Sequence, residues 1–439
     1  MLDKLKKIYM LMPVPVSRII INLFNLNPYF SKKTWQNVEY IDENYNNLDL
    51  LYENVRDLKT DIKTNDYYNL ENKNILEYPL MGSDDLRKSF EKIMNKNIAG
   101  YFTSTGGTGR KPSKLYLSNE SYQKDIYHVI WAWSKLGYKK GDRKLTLRGT
   151  DLGDKLYKYN PIYNELQINI FLMNENNIDL ILKEINNFNP NFGHGYPSAF
   201  VRFSQLIENK KINFNLKGIS LASESFNEVQ RDIIERVFKC PARGFFGHSE
   251  RACFATEKIS EKGIYEVLLT YGLIEIIKDN GKKAELDEEG EIVCTGFINK
   301  AMPLIRYKTG DYATVNQIKN GVVTEIKNIK GRWGKDFIYD KEENPISTTA
   351  INIHSDIQYD FKYIQLCQKE KGKLIIKLVP WEKTEDLEIK LKKISTDFQK
   401  KLNKVEVKCI IISEKEIYRT HRGKIPYLIN EIGESNGKS

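Results

Sequence analysis

The run Thr103-Ser104-Thr105-Gly106-Gly107-Thr108-Gly109-Arg110-Lys111-Pro112 interleaves hydroxyls with glycines. Such a backbone can double back and aim amide N–H and hydroxyl groups at phosphate oxygens. It is not a Walker loop, because Lys111 is followed by proline and the glycine spacing differs. A second run, Phe245-Phe246-Gly247-His248-Ser249-Glu250, gathers an aromatic that can stack on a base and a carboxylate that can hold Mg2+ against phosphates. In Arg306-Tyr307-Lys308-Thr309-Gly310-Asp311 the aspartate, set at a strand end, can accept hydrogen bonds from ribose hydroxyls. Gly331-Arg332 precedes Asp336 where the chain changes character, and Arg419-Thr420-His421-Arg422-Gly423-Lys424 places a lysine on a glycine-containing loop able to enter a phosphate site. Taken singly, each has a plain structural reading as a surface turn or a strand followed by a polar loop. Their order and separation are harder to obtain by accident.

The elements that would position these runs follow from periodicity. Residues 1 to about 100 show helical spacing with Asn- and Asp-rich breaks, a helical entry layer. From Tyr101 glycine-rich turns alternate with helical and strand-like stretches, an α/β pattern that puts binding loops at strand ends. Ser225 with Glu228 reads as a capping box opening a helix whose face is Val229, Ile233, Ile234, Val237 and Phe238. Runs 265–277, 291–295 and 322–326 are β-branched and turn-bounded, predicting an antiparallel or barrel-like section. Beyond Lys335, a hairpin (361–368 and 373–379), a helix (385–402) and a strand (405–412) make a compact α+β module.

At 439 residues the chain exceeds one ordinary core, which predicts a large unit, residues 1–334, and a small one, residues 335–439. The net charge of +10 comes from scattered lysines, without the compact basic block or basic-aromatic interleaving of a nucleic-acid groove. Five cysteines stand far apart, with no spacing suited to zinc and no secretory signal, so they read as reduced core thiols in a cytoplasmic protein. The apolar runs near the N-terminus are too short for a bilayer span. That basic, apolar segment could rest on an anionic membrane surface, although packing on the protein's own body is the preferred reading.

Together the motifs resemble the adenylate-forming superfamily, in particular its phenylacetate-CoA ligase-like branch with relatives in capsular polysaccharide biosynthesis. The resemblance spans nearly the whole chain and includes Gly195-Tyr196-Pro197-Ser198, Ala222-Ser223-Glu224 and Ala301-Met302-Pro303-Leu304-Ile305-Arg306-Tyr307. It implies an α/β fold with a large multi-subdomain N-terminal domain and a small mobile α+β C-terminal domain. It implies ATP and Mg2+ as cofactors, a small carboxylic acid as substrate and an acyl-AMP intermediate passed to an acceptor. By this resemblance Ser104, Thr105, Gly106, Gly107, Thr108 and Gly109 hold the β- and γ-phosphates; Ser223, Glu224 and Phe246 frame adenine, with Gly247 also in the ATP site; Asp311 and Arg332 hold the ribose. Ser249 sits by the phosphates, Glu250 binds Mg2+, and Lys424 contacts the carboxylate and bridging oxygen in the transition state. His194, Gly195, Tyr196 and Pro197 line the acid pocket, with Phe192 beside them, and Asp336 is the hinge about which the small domain turns.

Departures from the family pattern matter. Where a small-residue loop borders the family's pantetheine channel, this chain has Tyr339-Asp340-Lys341-Glu342-Glu343-Asn344-Pro345. An acceptor other than CoA, such as an amine or hydroxyl of a sugar, is therefore expected, with CoA as the alternative. A nucleotidyltransferase that leaves AMP on its substrate is a further alternative, and a non-catalytic scaffold a third. The zinc-ligating cysteine cluster of some relatives has no counterpart, so no structural metal is expected.

Overall fold

A computed structural model describes residues 31–432 apart from 64, 69–73, 105–112, 151, 225, 331–336, 344, 348–360, 383, 385, 403–404 and 420–424. Before Gly100 the described residues form three α-helices. Ser31 caps α1 (Lys32–Asn44), its hydroxyl accepting from the Thr34 N–H at 3.1 Å, and Asn47 caps α2 (Leu48–Ile62) in the same manner. These helices and α3 (Ser83–Ile93) turn Val38, Ile41, Leu51, Leu58, Leu86 and Ile93 inward. An antiparallel pair, β1 (Gly100–Ser104) and β2 (Lys114–Ser118), leads into α4 (Asn119–Lys135), which buries Ile130, Trp131 and Trp133.

Twelve strands then build a single mixed sheet. Its first half holds β3 (Lys144–Leu147), β4 (Tyr157–Asn160), β5 (Glu165–Ile168), β6 (Phe192–Gly195), β7 (Ile219–Leu221) and β8 (Ala242–Gly247). Apart from β4 these pair in parallel, and helices α5 (Ile178–Phe188), α6 (Pro197–Ile207) and α7 (Glu228–Phe238) join successive strands. The second half is antiparallel: β9 (Phe254–Glu257), β10 (Ile264–Val267), β11 (Gly272–Ile277), β12 (Glu289–Gly296), β13 (Tyr307–Lys319) and β14 (Val322–Lys330). Spatial order is β11-β12-β13-β14-β10-β9-β8-β7-β6-β3-β5-β4. The section expected to be antiparallel or barrel-like is thus antiparallel and continues the main sheet. The run 265–277 is two strands, because Tyr271 N–H turns back to the Leu268 carbonyl at 3.0 Å.

Two local expectations are corrected. The capping box of α7 is Asn227 with Gln230, whose N–H donates to Asn227 Oδ1 at 2.9 Å; Ser225 lies outside the described residues. Val229, Ile233 and Val237 are only half-buried, while Arg231 is buried against Glu257 at 2.5 Å. Glu257 also accepts from the Gly244 and Gly263 N–H groups, at 2.7 and 2.6 Å, so this carboxylate ties α7 to β8 and to the following turn.

The C-terminal residues form a sheet in the order β19-β18-β17-β20. The short pair β15 (Phe337–Tyr339) and β16 (Pro345–Ser347) precedes it. The sheet consists of β17 (Phe361–Glu370), β18 (Lys373–Pro380), β19 (Glu406–Ile411) and β20 (Leu428–Asn430), covered by α8 (Leu387–Lys401) through Ile394 and Phe398. Buried Lys362 on β17 donates to Gln205 Oε1 of α6 at 2.6 Å and pairs with Glu414 at 2.6 Å, which fastens this unit to the large sheet. Among the described residues no helix is long and apolar enough to cross a membrane; the basic N-terminal segment lies outside them. All five cysteines are free thiols.

Two buried histidines make stability depend on pH. Burial pushes His128 down to about 4 and, with the charges of Arg148 and Lys144, holds His194 well below its ordinary value. Both are therefore neutral when folded and bind a proton more readily when unfolded. Their contribution is complete above the ordinary value near 6.5 and is lost as pH falls toward the folded value. Each pH unit across that window is expected to cost on the order of 1.4 kcal/mol per histidine. Urea midpoints measured from pH 7 to 4.5 should fall, and His128→Gln should flatten part of the slope; an unchanged slope in that variant would contradict the assignment.

Candidate active site

In an open α/β sheet, ligands bind at the carboxyl ends of the parallel strands, beside the strand where the winding changes direction. Here that strand is β3: β5 and β4 lie to one side of it, and β6, β7 and β8 to the other. Along this rim the chain leaves the sheet at residues 148–150, 196–198, 222–224 and 248–250. Three of these four segments carry site residues expected from the sequence.

The turn after β8 buries Glu250, which is 1% exposed. Its Oε1 accepts from the Tyr307 hydroxyl at 3.0 Å, and its Oε2 lies 3.0 Å from His248 Nδ1. His248 Nε2 is 3.3 Å from Cys253 Sγ, which is 2.8 Å from Cys294 Sγ. Burial opposes a charge on His248, but the Cys253 sulfur and the Glu250 carboxylate override it and lift the imidazole to about 10. Against its own burial, Cys253 is held below the ordinary thiol range by Cys294 and His248. Each of these two groups thus favours the charged form of the other. Burial chiefly, then Cys253 and the carboxylates of Asp311 and Glu250, push the Cys294 thiol up, so both carboxylates act on one sulfur. Asp311 is buried on β13, where its N–H donates to Thr309 Oγ1 at 3.0 Å.

Phe246 is half-buried with its ring 6.3 Å from His248, and Gly247 and Ser249 are exposed at the strand end. Ser223 adopts a left-handed backbone (φ 71°), and Glu224 Oε2 accepts from the Ser198 N–H at 3.1 Å, joining the end of β7 to the start of α6. Pro197 opens α6, where its fixed φ suits the first turn. Gly195 is required by packing: a Cβ there would stand 2.1 Å from the Leu147 carbonyl oxygen of β3. His194 Nδ1 lies 3.1 Å from the Ser220 carbonyl and so must donate, leaving Nε2 to accept from Arg148 Nη1 at 3.4 Å. Phe192 is wholly buried against Trp133 and Tyr138, so it belongs to the core and not to an acid pocket.

The fold therefore brings His194 to Pro197, Ser223, Glu224 and Phe246 to Glu250 to one rim, with Asp311 and Glu250 acting on the same sulfur. Ser104 ends β1 opposite Lys114. Thr105, Gly106, Gly107, Thr108, Gly109, Arg332, Asp336 and Lys424 lie outside the described residues. Sequence reasoning missed three features. Tyr307 anchors Glu250, Arg148 stands at the start of the rim, and His248, Cys253 and Cys294 offer donor atoms within 4.8 Å of one another, a set able to hold a metal. Spacing hides that set because its members come from separate segments; only the proximity of His248 to Cys253 was visible.

No protein-family model matches the chain. Its fold is that of the adenylate-forming enzymes. It superposes on 2-hydroxyisobutyryl-CoA ligase in the postadenylation state with R3-HIB-AMP at a TM-score of 0.58, 14% identity and 80% coverage of each chain. It also superposes on an acyl acid amido synthetase in complex with 2,4-DB, at a TM-score of 0.61 and 11% identity over 90% of this chain and 94% of that one. Among curated proteins it is a relative of CapK of Staphylococcus aureus, 27% identical over 324 residues, 70% of this chain and 69% of CapK.

Proposed function

We propose that the protein activates a small carboxylic acid with ATP as an acyl-AMP and passes the acyl group to an acceptor. The observation that carries this reading is the convergence of the acid-pocket segment, the adenine-framing segment and the Glu250 turn on one rim of a sheet that has the adenylate-forming fold. The acid's carboxylate oxygen attacks the α-phosphorus, the bond to the bridging oxygen breaks, and pyrophosphate leaves. The acceptor's nitrogen, oxygen or sulfur then attacks the acyl carbon, and AMP departs with the former carboxylate oxygen. Glu250 and Asp311 are buried carboxylates suited to a hard cation and to ribose hydroxyls respectively. Bound Mg2+ would neutralise phosphate charge.

The small unit beginning near residue 335 serves in this reading as the lid that delivers Lys424, turning about Asp336. An amine or hydroxyl of a surface-polysaccharide sugar is the preferred acceptor, supported by the likeness to CapK and by the charged turn between β15 and β16. In that turn Asp340 accepts from the Glu342 N–H at 2.9 Å, and Glu343 has a left-handed backbone (φ 66°). CoA is the second reading, favoured by the fold shared with a CoA ligase. The protein is expected to act in the cytoplasm, where ATP is available. Acid-dependent exchange of labelled pyrophosphate into ATP, screened over carboxylic acids, tests the reading. Exchange that requires one acid class supports it, whereas AMP covalently retained on the product would replace it by nucleotidyl transfer.

A further inference from the structure

Arg148 follows the last residue of β3, the strand at which the sheet's winding reverses. Leu147 pairs with Gly195, so Arg148 stands level with Tyr196 on the neighbouring strand's exit. The residue is exposed, yet its guanidinium is held on two sides. One N–H group points to the His194 lone pair at 3.4 Å, and the Cζ atom lies 5.8 Å from the Tyr196 ring centroid. The tautomer of His194 is fixed by Ser220, so the histidine acts as a buried, neutral acceptor that orients the arginine. Arg148 forms no ion pair with a carboxylate among the described residues, whereas the neighbouring cation on the same strand, Lys144, lies 3.4 Å from Glu165. The remaining guanidinium N–H groups form a fork suited to two oxygens of one anion. Two residues beyond Tyr196, the buried Ser198 hydroxyl has no hydrogen-bond partner among the described residues and supplies a further polar group at the same end.

We infer that the acid substrate carries a second anionic oxygen group, carboxylate or phosphate, and that Arg148 binds it at the end of the pocket away from the reacting carboxylate. This rests on the acid-activating reading above. Three strand steps separate β3 from β8, roughly 14 Å at the usual strand spacing. A short bifunctional acid together with the arginine side chain spans that interval.

The test is calorimetric titration of the full chain with succinate, glutarate and adipate, with the monoamide of each, and with phosphoglycolate. At least one diacid, or phosphoglycolate, should bind, and a diacid should bind roughly 10- to 100-fold more tightly than its monoamide. Arg148→Met should erase that ratio and Arg148→Lys should restore part of it, with melting curves of both variants confirming that they fold. If phosphoglycolate alone binds, the group is phosphate and Arg148→Met should weaken that binding by the same factor; an unchanged affinity in that variant overturns the inference. Equal affinity for diacid and monoamide, no binding of any bifunctional acid, or an unchanged ratio in Arg148→Met overturns the inference. Pyrophosphate exchange run in parallel separates the two claims: exchange with simple monoacids but no diacid preference removes only the role of Arg148. Tight, Arg148-dependent diacid binding without exchange removes only the acid-activating reading.

Discussion

Lys424→Ala is expected to lower acid-dependent pyrophosphate exchange by a factor on the order of 10² to 10³. ATP binding and acyl transfer from supplied acyl-AMP should stay close to those of the parent protein. The reason is differential stabilisation. In the first half-reaction two anions, a carboxylate and a triphosphate, approach in line, and negative charge gathers on the bridging oxygen. A cation delivered to that point acts where charge develops rather than where ATP is already held, so its removal costs rate more than affinity. The second half-reaction begins from a neutral acyl carbon already bonded to AMP and has no need of that lysine. Measuring both half-reactions in one variant decides the matter. Equal loss in the two would mean that Lys424 supports the fold or a shared step and would remove the alternating lid.

Glu250→Gln is the second large effect, with exchange expected to fall on the order of 10²-fold and the Mg2+ concentration needed for half-maximal rate to rise. Glutamine preserves shape and can still accept from the Tyr307 hydroxyl 3.0 Å from Oε1, so structural damage is small. What disappears is the charge. Because that carboxylate also raises the His248 imidazole, its loss should move the histidine's titration to lower pH, which proton NMR of the ring can follow. A shifted imidazole with unaltered Mg2+ dependence would leave Glu250 a positioning residue for His248 and would take the metal role away from it.

The parts of the site legible in the sequence were those whose neighbours in the chain are also their neighbours in space. Phe246, Gly247, Ser249 and Glu250 share one strand end, and His194 to Pro197 share another, so motif and geometry coincide. Asp311 was read at a strand end, but it lies inside β13 (Tyr307–Lys319), whose pairing with β12 carries a register shift near Glu291 that spacing does not reveal. The His248, Cys253 and Cys294 set was invisible because Cys294 is 41 residues beyond Cys253 and arrives on β12, three strand connections later. The N-cap of α7 went astray for a different reason. Ser and Asn are nearly equal as caps, and only the extended backbone at Asn227, with Gln230 three residues on, decides between them. Arg148 belonged to no motif; its meaning comes from β3 being the strand where the winding reverses, a property of the assembled sheet.

The fate of one oxygen atom tests the central claim most directly. With an acid that supports turnover, labelled with 18O in its carboxylate, an acyl-AMP intermediate requires that one labelled oxygen appear in the phosphate of AMP for each acyl group transferred. Label found instead in inorganic phosphate, or AMP free of label at full turnover, would show that the carboxylate never bonds to the α-phosphorus and would contradict adenylation at this rim.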